Sequence, residues 1–310
     1  MAAEQVSYLG EHQDPNFTTT RRISQPRNGG ANAFAQLSRG GIGGGQAAQE
    51  NGQSNNADNG PSINDALLAY EKQYYAHQPK SLSGIAGRSF LLGVGLTSSS
   101  ILTLYLLLGE NISTRLWRAP FFVALLSLFH FLEFLTTAHT NTPAANISSF
   151  LLSSNGSAYT IAHFSALCEC ILTNLFFPNT SIFPDPLPSI TLALGLFLVL
   201  LGQTVRSIAM IQAGTNFNHV VQRRRNPSHR LVTSGIYAIL RHPSYFGFFW
   251  WGIGSQLVLG NRVCLVGYAV VLWKFFHARI DGEEELLIRF FGESYEAYRR
   301  RSWVGIPGCG

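Results

Sequence analysis

Two stretches late in the chain contain residues whose types and spacing could support chemistry. The first, "LVTSGIYAILRHPSYFG", runs from Leu231 to Gly247 and places an Arg-His-Pro triplet directly before an apolar run. The second, "ARIDGEEELL", places Arg279 and Glu283 four residues apart, and therefore on one face of a helix. These two residues stand where a long cationic interval of the sequence ends in a cluster of carboxylates, a pattern that suits an anionic ligand that also carries a positive charge.

The distribution of charge around these stretches supports this interpretation but does not require it. No Asp or Glu occurs between Pro186 and Ile280, where every formal charge is positive. The sign then reverses at Asp281, Glu283, Glu284 and Glu285. Membrane topology alone, with basic residues on the cytosolic side, would produce a similar distribution.

The Arg-His-Pro triplet has a physical role at the start of a helix. Pro243 is suited to the first helical position, where its missing N–H costs no hydrogen bond. A helix N-terminus also offers free backbone donors and a positive dipole end. With the hydroxyls of Ser244 and Tyr245, a turn at Gly235 and the ring of Tyr237, the stretch is predicted to form the wall of an anion-binding site.

A metal site is not predicted, because the histidines are irregularly spaced and no Cys-x-x-Cys or His-x-x-x-His pair is present. The four Cys do not suggest a disulfide framework. A nucleic-acid partner is not expected either, because the basic residues lie next to hydrophobic spans.

The elements that must position these residues are predicted to be membrane helices. The chain is 46% hydrophobic and 13% charged, about half the usual charged share of roughly 25%. Four segments have the roughly 20 apolar residues of a spanning helix: Ser89–Gly109, Trp117–Ala138, Ala158–Pro178 and Ser189–Met210. Two shorter segments, Ser244–Gly260 and Arg262–His277, are joined by a Gly-Asn turn and predict a helical hairpin. The predicted fold is an all-α integral membrane protein with about six membrane helices.

Four regions follow from these segments. Residues 1–62 form a low-complexity tail that is expected to be disordered, and residues 63–88 form an amphipathic or interfacial segment. Residues 89–210 contain the four transmembrane helices, and residues 211–310 form a C-terminal catalytic region with a cofactor loop, the hairpin and a cytosolic tail. Arg and Lys flank the spans on one side, which predicts cytosolic N- and C-termini and a cytosolic pocket.

Ionisable residues inside the predicted spans are His130, Glu133, Glu169 and Arg206. Charges inside a membrane are costly and usually paired. An interhelical pair between Arg206 and either Glu133 or Glu169 is therefore favoured over a direct catalytic role.

The two stretches, read together, resemble the integral-membrane isoprenylcysteine carboxyl methyltransferases. The similar segments are "HRLVTSGIYAILRHPSYFGFFWWGIGSQLVLGN" and "FFHARIDGEEELLIRFFGESYEAYRRR", and the resemblance covers about residues 80–308. It implies methyl transfer from S-adenosylmethionine to the carboxylate of a C-terminal prenylated cysteine. It also implies prenylated CaaX proteins as partners, contact with membrane lipid, and a location in the endoplasmic reticulum membrane.

The resemblance also implies roles for individual residues. Arg279 would contact the prenylcysteine carboxylate, and Glu283 and Glu284 would form a catalytic glutamate pair with it. The cofactor would be met by Gln222, His229, Arg230, Leu231, Val232, Tyr237, His242, Pro243, Ser244, Tyr245 and Glu283.

Other functions remain open at this point. A phospholipid N-methyltransferase would differ in the acceptor and not in the cofactor. A membrane sterol reductase would share the Arg-His-Pro-x-Tyr element but use a nicotinamide cofactor. A non-enzymatic membrane scaffold would need none of the paired residues.

Overall fold

The computed structural model describes residues 62–109, 115–177, 187–225 and 227–310, with the backbone alone at 187 and 188. The predicted disordered tail lies outside the described residues, except for its last residue, Ser62. In the described ranges the chain is helical, and an isolated bridge between Leu240 and Trp303 is the one β contact. This confirms the predicted all-α class.

Eight α-helices are present in the described part of the chain. They are α1 (Ile63–Lys72), α2 (Leu82–Leu108), α3 (Arg118–Thr140), α4 (Gly156–Phe176), α5 (Leu187–Ala213), α6 (Pro243–Leu259), α7 (Val263–Phe291) and α8 (Glu293–Arg299). Short 3-10 segments occupy several connections, including Gly214–Asn216 and Gly235–Ala238.

All six predicted membrane segments are helices, and four helices are long and apolar enough to cross a bilayer. The four are Leu82–Leu108, Arg115–Thr140, Ser189–Asn216 and Val263–Phe291, counting the turns that flank α3 and α5. The shorter α6 has 17 residues, about 25 Å of helix. In α2 the buried residues are Leu92 and Thr103, and its many exposed apolar side chains suit contact with lipid.

Two helix boundaries differ from those predicted. Helix α2 begins at Leu82, inside the segment expected to be interfacial, where the side chain of Ser81 caps it by accepting from the Gly84 backbone N–H at 3.1 Å. Helix α7 continues to Phe291 instead of ending near His277. Charge in its C-terminal half hid the continuation from a hydropathy pattern. As a result, Arg279 and Glu283 stand on the same rigid helix as the apolar residues of the hairpin.

The Gly-Asn turn predicted between α6 and α7 is confirmed. Gly260 adopts φ +74, the left-handed conformation typical of a helix C-cap. The side-chain amide of Asn261 donates to the Ala166 carbonyl at 2.8 Å, which ties the turn to α4. Glu169 of α4 accepts from the first backbone N–H groups of α7 and so caps that helix.

Glycine lets α5 and α6 approach so closely that their backbones touch. A Cβ at Gly202 would lie 2.5 Å from the Gly247 carbonyl, and one at Gly254 would lie 2.8 Å from the Gly195 carbonyl. The glycines in contact are seven residues apart on each helix, at Gly195 and Gly202 of α5 and at Gly247 and Gly254 of α6, and so lie on one face. Small residues of this kind are the usual means by which membrane helices pack tightly.

The predicted interhelical ion pair forms between Arg206 of α5 and Glu133 of α3. The guanidinium Nε donates to one carboxylate oxygen of Glu133, and Nη2 donates to the other at 2.8 Å. Both side chains are buried. The same guanidinium donates from Nη1 to the Ser244 hydroxyl at 2.9 Å, which connects the pair to the start of α6.

The close contact of α5 and α6 predicts a sensitive position at Gly254. Gly254→Leu is expected to lower the free energy of unfolding by about 1–3 kcal/mol, because no space exists for the new side chain. Thermal unfolding in detergent measures this loss. Gly93→Leu, at a helical glycine of α2 with open space around it, is the matched control. Equal melting temperatures for the two variants would contradict the packing described here.

Candidate active site

A cavity of about 980 Å³ is lined by α4, α6, α7 and the segment that joins α5 to α6. Its polar part lies between the loop residues 216–222 and 229–232 and the C-terminal half of α7. Its apolar part continues between α4 and α7, along residues such as Ala162, Gly252, Gly267 and Val271. The volume is at the upper end of that of small-molecule sites.

Three side chains form a hydrogen-bonded chain at the polar end. Arg279 donates from Nε to the Tyr245 hydroxyl at 2.9 Å, and that hydroxyl donates to Glu283 Oε2 at 2.5 Å. The guanidinium also lies over the rings of Tyr245 and Phe275, at 5.3 and 5.8 Å from their centroids. The structure therefore places Arg279, Tyr245 and Glu283 together, as predicted.

Unused hydrogen-bonding capacity remains in this chain. Arg279 Nη2 donates to the His219 carbonyl at 2.5 Å, and among the described residues Nη1 has no partner. The second oxygen of Glu283, Oε1, likewise accepts no hydrogen bond from the described residues. Both groups belong to residues that line the cavity, so an anion and a hydrogen-bond donor of a ligand could be held there at the same time.

Glu284 does not line the cavity, unlike its neighbour Glu283. Its carboxylate accepts from Arg241 Nε at 2.5 Å, lies 3.2 Å from His242 Nε2, and pairs with Arg299 Nε at 3.0 Å. Successive residues on a helix point about 100° apart, which separates the two glutamates. Glu284 therefore fixes the Arg-His-Pro element against α7 and is not placed to touch a ligand.

The C-terminal segment closes around the same element. Arg241 donates from its backbone N–H to the Trp303 carbonyl and from Nη1 to the Ser302 carbonyl, both at 2.8 Å. Val304 and Ile306 are buried against Phe276 and Ile280 of α7. The tail thereby fixes the loop end that precedes α6.

Each of the predicted cofactor-binding residues lines the cavity. They are Gln222, His229, Arg230, Leu231, Val232, Tyr237, His242, Pro243, Ser244, Tyr245 and Glu283.

The loop that carries several of these residues is fastened at both ends. The backbone N–H of Arg230 donates to Asn216 Oδ1 at 2.9 Å. The hydroxyl of Tyr237 donates to the Ala209 carbonyl at 3.2 Å, and its own carbonyl accepts from the Tyr298 hydroxyl at 2.7 Å. Burial raises the pKa of Tyr237 above its usual range and that of Tyr298 to about 12, so both remain neutral donors near neutral pH.

Pro243 occupies the first turn of α6, as predicted, but two hydroxyls near it already have partners. The Ser244 hydroxyl accepts from Arg206, and the Tyr245 hydroxyl bridges Arg279 and Glu283. These two side chains therefore stabilise the residues around the site. The anion that was predicted to bind at the start of α6 has a better partner in the free edge of Arg279.

Sequence reasoning missed two parts of the cavity. The first is His219, whose carbonyl accepts from Arg279, although it lies only three residues before Gln222. The second is the α4 wall, which includes Tyr159, Ala162 and His163. Nothing in the hydropathy of α4 distinguishes its cavity face from its lipid face.

Among the described residues, no group of three or more His, Cys, Asp and Glu side chains could hold a metal ion. The polar residues that line the cavity carry guanidinium groups, imidazoles, the Glu283 carboxylate, hydroxyls and amides, and aromatic rings lie beside them. This set suits an organic ligand that carries both signs of charge.

The chain is similar in sequence to a known family of membrane methyltransferases. Residues 193–289 match the profile of the isoprenylcysteine carboxyl methyltransferase (ICMT) family. The chain is 47% identical over 187 residues to protein-S-isoprenylcysteine O-methyltransferase of Saccharomyces cerevisiae, covering 60% of this chain and 78% of that protein. It is 41% identical over 245 residues to the Xenopus laevis enzyme of the same name, covering 78% and 76%.

A solved structure has a similar fold. It is that of the eukaryotic intramembrane Ras methyltransferase ICMT without a monobody, with a TM-score of 0.65 and 33% sequence identity. The match covers 78% of this chain and 82% of that one.

The ion pairs of Glu284 predict a large effect on stability. Glu284→Ala leaves the buried Arg241 and His242 without their carboxylate, and we expect a loss of about 3–5 kcal/mol in the free energy of unfolding. Glu285→Ala removes an exposed pair with Arg289 on the same helix and should cost about 0–1 kcal/mol. Thermal unfolding of both variants in detergent compares them. A Glu284 variant as stable as the Glu285 control would contradict the bracing role.

Proposed function

This chain belongs to the isoprenylcysteine carboxyl methyltransferase family, and on that premise we propose its reaction, its methyl donor and the residues that hold both substrates. The reaction is methyl esterification of the C-terminal carboxylate of a prenylated cysteine, with S-adenosylmethionine as donor. The protein substrates are CaaX-processed chains that carry a farnesyl or geranylgeranyl group.

The observation that carries this proposal is the composition of the continuous cavity around Arg279. At its polar end the guanidinium has a free edge for a carboxylate, and from there the cavity continues between α4 and α7 along apolar side chains. From Arg279 to Gly267 this part extends about 18 Å along α7. A prenylcysteine has the same layout, with a carboxylate at one end of a long hydrocarbon chain.

The polar residues of the cavity also fit S-adenosylmethionine. The donor has an amino acid end, a nucleoside and a sulfonium, so it needs a carboxylate for its ammonium, donors for its own carboxylate, and aromatic or apolar walls for the base. Glu283 supplies the carboxylate for the ammonium. The segment His229–Val232, with Gln222, supplies the donors for the carboxylate. Tyr237 and Tyr245, with side chains of α7, supply the walls for the base. When bound, this group supplies an electrophilic methyl on a positively charged sulfur.

The chemistry required of the protein is mainly positioning. An α-carboxyl group has a pKa of about 3.3–3.7, so the acceptor is ionised at neutral pH and needs no general base. Arg279 presents a planar fork that can hold the two carboxylate oxygens. Orientation of this kind, with water excluded from the cavity, accounts for several kcal/mol of barrier reduction.

A second requirement is that Arg279 does not hold the carboxylate too firmly. The acceptor loses its charge as the ester forms, so a strong ion pair would stabilise the ground state. The bonds of Arg279 to Tyr245 and His219 already satisfy part of its donor capacity. Arg279 therefore orients the acceptor, and Glu283 with Tyr245 keeps the guanidinium in place.

The polar end is proposed to face the cytosol, in the endoplasmic reticulum membrane, with both termini on the cytosolic side. Support comes from the basic residues of the segment between α5 and α6 and of the C-terminal tail. In this arrangement all six helices from α2 to α7 lie in the membrane, and the prenyl chain enters sideways from the lipid.

One assay separates this proposal from its alternatives. Purified protein is given labelled S-adenosylmethionine and, in turn, a farnesylcysteine analogue, phosphatidylethanolamine and a sterol. We expect label only in the first acceptor, as a base-labile methyl ester. Transfer to phosphatidylethanolamine would identify a phospholipid N-methyltransferase. If no acceptor received label, the proposed function would be refuted.

Removal of the guanidinium separates the two substrate sites. Arg279→Ala is expected to abolish methylation of the farnesylcysteine analogue while binding of S-adenosylmethionine survives in part. Glu283→Ala is expected to weaken that binding, as measured by thermal shift in detergent. If the Arg279 variant lost methylation and donor binding equally, the substrate role of Arg279 would be refuted. Unchanged donor affinity in the Glu283 variant would refute the role of Glu283.

Filling the apolar part of the cavity tests the prenyl site. A Cβ at Gly267 meets no neighbour, so Gly267→Phe can be accommodated and improves helix propensity. We expect methylation of farnesylcysteine to fall about 10- to 100-fold with donor binding retained, because the ring occupies the space of the hydrocarbon. Gly93→Phe in α2 is the matched control. Unchanged activity of the Gly267 variant would place the prenyl chain elsewhere.

A further inference from the structure

His219 is fastened at both its side chain and its backbone. Its Nε2 lies 2.9 Å from Glu133 Oε2, and its carbonyl accepts from Arg279 Nη2 at 2.5 Å. One residue of the loop therefore connects the buried ion pair between α3 and α5 to the guanidinium that lines the cavity. Neither connection was expected from the sequence.

The side-chain end of this link is rigid. Glu133 is 1% exposed and accepts two hydrogen bonds from Arg206 in addition to that of His219. A carboxylate held by a guanidinium is ionised and only accepts, so Nε2 of His219 must carry the proton. The ring also packs edge-on against Phe217, at 5.2 Å between centroids.

The loop around His219 has little else to hold it. Phe217 is fixed by Asn141, which donates to its carbonyl at 3.0 Å, and Arg225 is fixed by the Phe290 carbonyl at 2.7 Å. Between them, in residues 218–224, the side chains of Asn218 and Gln222 bond only to the loop itself. In that described segment, His219 makes the one side-chain hydrogen bond to another element.

We propose that Glu133 and His219 are positioning residues that set the orientation of Arg279. With Nε committed to Tyr245 and Nη2 to the His219 carbonyl, the guanidinium turns its Nη1 edge toward the substrate carboxylate. Releasing His219 from Glu133 frees the carbonyl, and the guanidinium then rotates about its remaining bond to Tyr245. This inference rests on the proposed role of Arg279 in binding the prenylcysteine carboxylate.

A double-mutant cycle tests the link. The variants are His219→Phe, which keeps a ring beside Phe217 but loses the donor, Arg279→Lys, and the two combined. Lysine keeps the positive charge but lacks the planar fork, so its orientation does not depend on the His219 carbonyl. The probe is N-acetyl-S-farnesylcysteine, with KM, kcat and donor affinity measured for each protein.

The expected pattern is non-additive. His219→Phe should raise KM for the farnesylcysteine about 10- to 100-fold in the Arg279 protein and less than about twofold in the Arg279→Lys protein. Donor affinity should remain within about twofold of the original in both. His219→Gln, which restores an N–H donor toward Glu133, should recover part of the loss. His139→Phe, at an exposed histidine of α3, is the control for an added ring.

Two outcomes would overturn the inference. An equal loss with the original Arg279 and with Arg279→Lys would show that His219 acts on the fold or on the ligand directly. A large change in donor affinity with KM unchanged would place His219 in the donor site. If His219→Phe does not purify as a folded protein, His219→Leu replaces it in the same cycle. A wild-type protein that does not methylate farnesylcysteine would instead refute the proposed function, independently of this test.

Discussion

The hydroxyl of Tyr245 joins the two charged side chains on which the site depends. It accepts from Arg279 and donates to Glu283, and so holds a cation and an anion next to each other without a direct ion pair. A direct pair would saturate both groups. With the hydroxyl between them, each keeps an edge for a ligand, at the polar end of a cavity that continues along apolar side chains between α4 and α7. The arrangement demands that Tyr245, Arg279 and Glu283 come from rigid elements, and the rest of the fold supplies them.

Each supporting element reaches this hydroxyl by a separate route. Tyr245 lies in the first turn of α6. Arg206 fixes this turn by donating to Ser244. Glu284 fixes the residues just before it through its contacts with Arg241 and His242. Helix α7 is long enough to bring Arg279 and Glu283 beside Tyr245. Its N-terminus is capped by Glu169 of α4. These buried and half-buried ionic contacts together hold Tyr245, Arg279 and Glu283 in position. Because each of these charges has a partner, so many charges are tolerated beside a membrane.

Much of this could be predicted from the sequence because local chemistry carries the signal. The apolar runs indicated the six helices from α2 to α7, Gly260 and Asn261 marked the hairpin turn, and the spacing of Arg279 and Glu283 placed them on one face. The pairing of Arg206 with an intramembrane glutamate followed from the cost of a lone buried charge. What the sequence could not distinguish were equivalent neighbours. Glu283 and Glu284 look alike in a string of letters, and only the turn of the helix sends one to the cavity and the other to Arg241. Likewise, the role of His219 depends on a carbonyl, which no side-chain pattern reveals.

The most direct test of the central claim is an experimental structure of the protein with S-adenosylhomocysteine and a farnesylcysteine bound together. The account predicts one continuous density: the nucleoside against Tyr245 and the loop at His229, the cysteine carboxylate on the free edge of Arg279, and the farnesyl chain between α4 and α7. A farnesyl chain lying on the outer face of the helices, or a carboxylate remote from Arg279, would contradict it.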